Sequence, residues 1–94
     1  EATRKESMRG ICVWRRESDY GRSVEEWLHE FERRTGRTLT SLNPDEPEGE
    51  SVCRAYDIVE YPTMMVVDES GSPLAMWRGQ NLPTFDEVLL WLMK

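Results

Sequence analysis

Two thiols, one imidazole and a cluster of arginines are the side chains of this 94-residue sequence with chemistry to offer. Cys12 and Cys53 are too few for a disulfide-stapled scaffold and match no metal-ligand spacing. Cys12 falls inside the apolar run Ile11-Cys12-Val13-Trp14, where a thiol serves as an inert small hydrophobe. Cys53 falls near the start of an expected helix, where backbone N–H groups favour the thiolate; it is the candidate reactive thiol, with a structural role as the plainer alternative. Spacing leaves a Cys12–Cys53 disulfide open, because Cα separation decides it. The lone histidine, His29, is expected on a solvated helix face, and one histidine makes no transition-metal site. No metal and no cofactor is expected. Arg15, Arg16 and Arg22 bracket the start of the first expected helix, whose terminal amides suit an anion. The alternative is that they form exposed ion pairs with Glu17, Asp19, Glu25 or Glu26.

The elements that would position these groups can be read from period and punctuation. Residues 1–9 alternate charged and small polar types without an apolar period and are expected to be a frayed arm. The run 11–14 is too short for a helix and suits a central strand covered on both faces. Ser23 and Glu26 have capping-box spacing, and Val24, Trp27, Leu28 and Phe31 form an amphipathic stripe that Gly36 ends. A short strand is expected over Thr38-Leu39-Thr40. After it, Asn43 to Glu50 reads as the longest loop, its prolines and glycine breaking regular structure and its carboxylates solvating a turn. A second helix is expected from Ser51 through Tyr56, burying Val52, Ala55 and Tyr56. Met64–Val67 and Leu74–Trp77 then flank a glycine-containing turn as a hairpin. Thr84 and Glu87 repeat the capping box ahead of Phe85, Val88, Leu89 and Leu92. The order is β-α-β-α-β-β-α, an α/β domain with a right-handed parallel β-α-β unit first.

Within that order, Tyr56-Asp57-Ile58-Val59-Glu60-Tyr61-Pro62-Thr63 precedes an apolar strand, a turn, a strand ending Trp77-Arg78-Gly79 and a capped helix. This resembles the C-terminal half of thioredoxins, with a likeness running from about Gly10 to Lys94. The resemblance implies a minimal thioredoxin-like fold with a four-stranded mixed sheet over residues 10–94. It also implies that Pro62 is cis and that Tyr61, Pro62, Thr63 and Trp77 border a groove. The family's redox chemistry needs Cys-x-x-Cys, in which the first thiolate attacks and the second resolves the mixed disulfide. Here the matching window is Tyr20-Gly21-Arg22-Ser23, with hydroxyls in both thiol positions. Trp14 stands where the family keeps a proton-relay aspartate. No catalytic set is therefore expected.

Charge and length narrow the partners. Twelve basic against eighteen acidic residues give a net charge of −6, which disfavours nucleic acid and anionic membrane surfaces. Residues 1–47 carry −1 and residues 48–94 carry −5, so an anion-seeking surface belongs to the first half. No apolar run reaches the length of a membrane span and no signal segment is visible, so a cytoplasmic location is the expectation. The start at Glu1 rather than Met leaves an excised or processed product open. The expected function is a protein- or peptide-binding module built on the groove beside Pro62. The alternative is an enzyme of another thioredoxin-fold branch, glutathione-binding through Tyr20 or Ser23 or acting through Cys53 alone. Partner identity and oligomeric state are left open.

Overall fold

A strand with no polar side chain over four positions has to be covered on both faces, and the first strand sits at the centre accordingly. The computed structural model describes residues 8–94. β1 (Arg9–Val13) pairs in parallel with β2 (Thr40–Leu42) on one side and antiparallel with β3 (Thr63–Val67) on the other. β3 pairs antiparallel with β4 (Pro73–Arg78), giving a mixed sheet of order β2-β1-β3-β4. All five residues of β3 are buried, as are four of the five in β1. The order β-α-β-α-β-β-α is the one the sequence predicts.

Alternation along the strands sorts the core into two clusters. Cys12, Met64 and Val66 face α1 (Gly21–Thr35) and α3 (Phe85–Leu92), meeting Val24, Phe31, Val88 and Leu92. Ile11, Val13, Met65 and Val67 face the other way, towards α2 (Pro47–Tyr56), and meet Cys53 and Ile58. Trp27 stacks on Phe31 with centroids 5.0 Å apart, and Phe85 stands edge-on to both rings. The Trp27 indole N–H donates to the Pro83 carbonyl at 2.9 Å. This aromatic trio ties α1 to α3, each ring pair adding roughly 0.5–1.5 kcal/mol beyond its burial.

Helix ends follow local chemistry in two cases and tertiary packing in two others. Gly36 takes the left-handed conformation (φ 75°) and donates its N–H to Glu32 at 2.8 Å, closing α1 as its residue type predicts. At α3 both capping-box bonds form. The Thr84 hydroxyl accepts from the Glu87 N–H at 3.1 Å, and the Thr84 N–H donates to the Glu87 carboxylate at 2.8 Å. The Ser23–Glu26 box is not used: the N-cap lies three residues earlier, at Tyr20, which makes no side-chain cap, and Gly21 is the first residue of α1. α2 also starts early. Pro47, read as a breaker, is its first residue, where a missing N–H costs nothing and a fixed φ is already helical. Its inward residues are Gly49 and Cys53, with Val52 and Tyr56 half-buried, and Ala55 is exposed.

Two strand boundaries also move. β2 lies over Thr40–Leu42, not Thr38–Thr40, because pairing with Ile11, Cys12 and Val13 fixes its register. β1 begins at Arg9, inside the expected arm, and Met8 packs against the core instead of fraying; residues 1–7 lie outside the described residues.

Candidate functional site

Two chain segments meet at one end of the sheet: the turn from β1 into α1, and the run from α2 into β3. The first leaves β1 through the buried Trp14, whose N–H donates to the Leu42 carbonyl at 3.0 Å and whose indole N–H donates to Ser41 Oγ at 2.5 Å. The chain then folds back on itself. The Ser18 hydroxyl donates to the Arg15 carbonyl at 2.6 Å, and the Gly21 N–H to the Ser18 carbonyl at 3.1 Å. Gly21 is what this closeness requires, since a Cβ there would lie 2.0 Å from the Arg16 carbonyl oxygen. This contact, not Ser23, fixes where α1 begins. Tyr20 turns its side chain back across the turn, and its hydroxyl accepts from the Arg15 N–H at 3.3 Å.

The second segment runs from Asp57, in the left-handed region at φ 57°, through the buried Ile58 to Val59, which is 82% exposed. The Tyr61–Pro62 peptide bond is cis. The Pro62 carbonyl accepts from the Gly79 N–H at 2.8 Å, and the Thr63 hydroxyl donates to the Glu60 carbonyl at 2.5 Å. Neither the N–H nor the C=O of Tyr61 has a hydrogen-bond partner among the described residues.

Where the segments approach, Tyr20, Ser23, Val24, Pro62, Gln80 and Leu82 line an open cleft of about 40 Å³. The structure thus brings together the two hydroxyls of the Tyr20–Ser23 window and Pro62. It does not bring in every residue the resemblance implied. Thr63 is fully buried and its hydroxyl is spent on Glu60, so its side chain faces no groove. Trp77 is half-buried against the core between the sheet and the α1–α3 layer, outside the cleft, because β4 alternation points it inward there. Arg22 is exposed and also lies outside the lining. The Tyr61 ring packs with the α2-side core, where its hydroxyl donates to Cys53 Sγ at 3.8 Å. Val24, Gln80 and Leu82 escaped the sequence reading. Val24 looked like plain helix stripe, and the two others follow Gly79 in a stretch with no motif.

Electrostatics next to the cleft are set by one ion pair. The Arg15 guanidinium grips Asp45 with two hydrogen bonds, 2.9 and 3.0 Å, and lies over the Tyr61 ring at 4.9 Å. The hydrogen bond to Asp45 raises the Arg15 pKa, and the same bond holds the Asp45 carboxyl below its ordinary range. Burial, then the bond to Cys53, pushes the Tyr61 phenol up. Arg16 pairs with Glu25 at 3.1 Å and lies over the Trp14 ring at 5.0 Å. Arg15 and Arg16 therefore follow the ion-pair alternative, whereas Arg22 forms no ion pair among the described residues. Arg15 takes its carboxylate from the acidic stretch thirty residues away, not from Glu17 or Asp19.

Both thiols are free and buried, and they sit in the two different core clusters on opposite faces of the sheet, which keeps them apart. Burial pushes the Cys12 thiol up to about 12, as suits an inert mid-strand hydrophobe. Cys53 lies beneath the Tyr61 hydroxyl. His29 is exposed on α1. No group of three or more His, Cys, Asp or Glu that could hold a metal occurs among the described residues. No helix of the described residues is long and apolar enough to cross a membrane.

No protein-family model matches the chain and no curated protein matches it in sequence. Solved structures do. The reduced thioredoxin pre-protein of Schistosoma mansoni superposes with a TM-score of 0.71 at 13% identity, covering 95% of this chain and 79% of that one. The oxidised thioredoxin of Plasmodium falciparum gives 0.67 at 15% identity, covering 94% and 80%. The thioredoxin of Fasciola hepatica gives 0.67 at 11%, covering 95% and 81%. Identities this low carry the architecture and nothing finer. Strand order, helix placement and these superpositions agree: the chain has the thioredoxin fold.

Proposed function

We propose that this domain binds an extended segment of a partner protein along Tyr61 and works without dithiol chemistry. The observation that carries the reading is the free backbone of Tyr61. An N–H and a C=O without partners among the described residues, just before a buried strand and beside an open cleft, are the groups that take up an added strand. Main-chain hydrogen bonds would supply affinity and the cleft would read a side chain. The exposed Val59, two residues earlier, offers apolar surface on the approach.

The absence of dithiol chemistry in this reading rests on residue type and place. Tyr20 and Ser23 are at the cleft and cannot form a disulfide, while the two cysteines lie in separate core clusters. The reading places the domain in the cytoplasm.

The test is selection of linear peptides from a random pool on the immobilised domain, followed by amide shift mapping of the best binder. Shifts concentrated at Tyr20–Ser23, Tyr61–Thr63 and Gln80–Leu82 are expected. No enrichment, or shifts confined to the far end of the sheet, would overturn the proposal. Alongside it, the domain should not accelerate insulin reduction by dithiothreitol; acceleration would contradict the redox part.

A further inference from the structure

The sheet has two open edges, and they differ. β2 offers three residues, whereas β4 offers six and carries no charge over residues 74–77. Those four residues are only half-buried, and no strand lies beyond β4 among the described residues. A long apolar edge is a template for another strand, which native sheets seldom leave bare.

The β3–β4 ladder decides which backbone groups this edge presents. The Gly79 N–H donates to the Pro62 carbonyl at 2.8 Å, in the register that also pairs Met64 with Trp77 and Val66 with Ala75. Bonded and open positions alternate in an antiparallel pair, so Gly79, Trp77 and Ala75 turn their backbone groups to β3. Met76 and Arg78 turn theirs outward, to the open edge.

That edge is complementary to itself. Laid antiparallel to a second copy about a two-fold axis at Met76, it sets Met76 against Met76, with the outward N–H and C=O of each bonded to the other. The same axis sets the large Trp77 against the small Ala75 of the other copy. Arg78 then comes opposite Leu74 of the other copy, beside that copy's turn at residues 68–72. Arg78 is exposed and forms no ion pair among the described residues, its Nε donating to Met76 Sδ at 3.3 Å. The turn carries Asp68 and the exposed Glu69, which form no ion pair there either. A two-fold axis at Trp77 would instead put Trp77 on Trp77 and draw the two arginines together, away from both turns. Charge and volume therefore select Met76. A net charge of −6 on each copy opposes unspecific association, so opposite charges have to meet locally, as Arg78 and the turn do.

We propose that the β4 edge is a homodimer interface, in which two copies pair antiparallel about Met76 and join their sheets into one. The inference is independent of the peptide-binding reading, because no residue lining the cleft beside Pro62 belongs to β4. A single pair of short strands covers little area, so the dimer belongs to the weak, concentration-dependent class.

Sedimentation equilibrium of the 94-residue chain tests it. The mass should rise from monomer towards dimer between about 10 µM and about 1 mM, and a monomer throughout would overturn the proposal. In a mixed-label sample, intermolecular NOEs should join the Ala75 methyl to the Trp77 ring; NOEs joining other surfaces would overturn it. Met76→Pro removes an N–H that β3 does not use, which an edge strand tolerates. It should abolish the dimer while the β3–β4 amide pattern persists, and a folded Met76→Pro that still dimerises would contradict the pairing. Should that variant not fold, Arg78→Glu decides alone, since Arg78 is exposed and unpaired. Arg78→Glu should weaken the dimer about tenfold, because opposite charges become like charges at two symmetric places. Adding Glu69→Arg should restore it to within about threefold. An Arg78→Glu protein that dimerises as tightly as wild type would refute the interface.

Discussion

Gly21→Ala separates a tertiary account of the site from a local one. On helix propensity alone the substitution gains at most about 1 kcal/mol, since alanine is the better helix former and Gly21 is the first residue of α1. The structure reverses the sign. An added Cβ would lie 2.0 Å from the Arg16 carbonyl oxygen, 2.9 Å from its carbon and 3.4 Å from the Arg15 oxygen, all backbone atoms with no rotamer to turn away. Relief requires the 15–20 turn to open by over an ångström, against the Ser18 hydroxyl bond to Arg15 and the Gly21 bond to Ser18. Overpacking of this kind costs roughly 1–3 kcal/mol, and a backbone clash belongs at the upper end. The net expectation is a loss of about 2 kcal/mol, or roughly 8–16 °C in Tm for a domain of this size. Thermal and urea unfolding followed by tryptophan fluorescence measures it directly. The same variant should move the amide shifts of Arg15, Tyr20 and Ser23 while leaving α3 unchanged. A Gly21→Ala protein as stable as wild type, or more so, would refute the claim that this contact fixes the start of α1.

Three further outcomes follow from single contacts. Cys12 should resist iodoacetamide in the native state and label only on unfolding; its raised pKa also means that stability is lost as pH climbs from about 9, where the unfolded thiol ionises, towards about 12. Cys12→Ala should flatten that alkaline fall, and fast native labelling would contradict the burial argument. Glu30, hydrogen-bonded by Arg33 and Arg34, should titrate near pH 2 by NMR, its contribution to stability vanishing only as pH falls through that value; Arg33→Gln with Arg34→Gln should return it to the ordinary carboxylate range. Thr84→Ala should cost about 1 kcal/mol in urea unfolding, and a neutral result would mean the α3 cap is not holding that helix end.

How far the sequence could be read depended on the range of the interaction. Thr84 and Glu87 are three residues apart and nothing else competes for the helix end, so the motif and the structure coincide. Ser23 and Glu26 have the same spacing, but the Gly21–Arg16 contact sets the helix start first, and Ser23 ends inside the first turn with its hydroxyl at the cleft. Pro47 shows the ambiguity of a single residue type, since proline both breaks a helix and begins one, and only packing of Gly49 and Cys53 decides. The two-residue shift of β2 has the same origin, because register belongs to the pair of strands and not to either one. The Arg15–Asp45 pair spans thirty residues and left no local trace. Within the candidate site, the positions of Tyr20, Ser23 and Pro62 were legible through the resemblance. Gln80 and Leu82 were not, since they reach the cleft only through the Gly79–Pro62 bond that folds their segment back.

The central claim is that an extended peptide occupies the cleft between the Tyr20–Ser23 window and Pro62. Ser23→Leu fills that cleft from an exposed position in the first turn of α1, where leucine is a good helix former and the core is untouched. The deciding measurement is the dissociation constant of the selected peptide for wild type and for Ser23→Leu by isothermal titration. The account predicts a loss of about tenfold or more with unfolding stability unchanged, and equal affinities for the two proteins would contradict it.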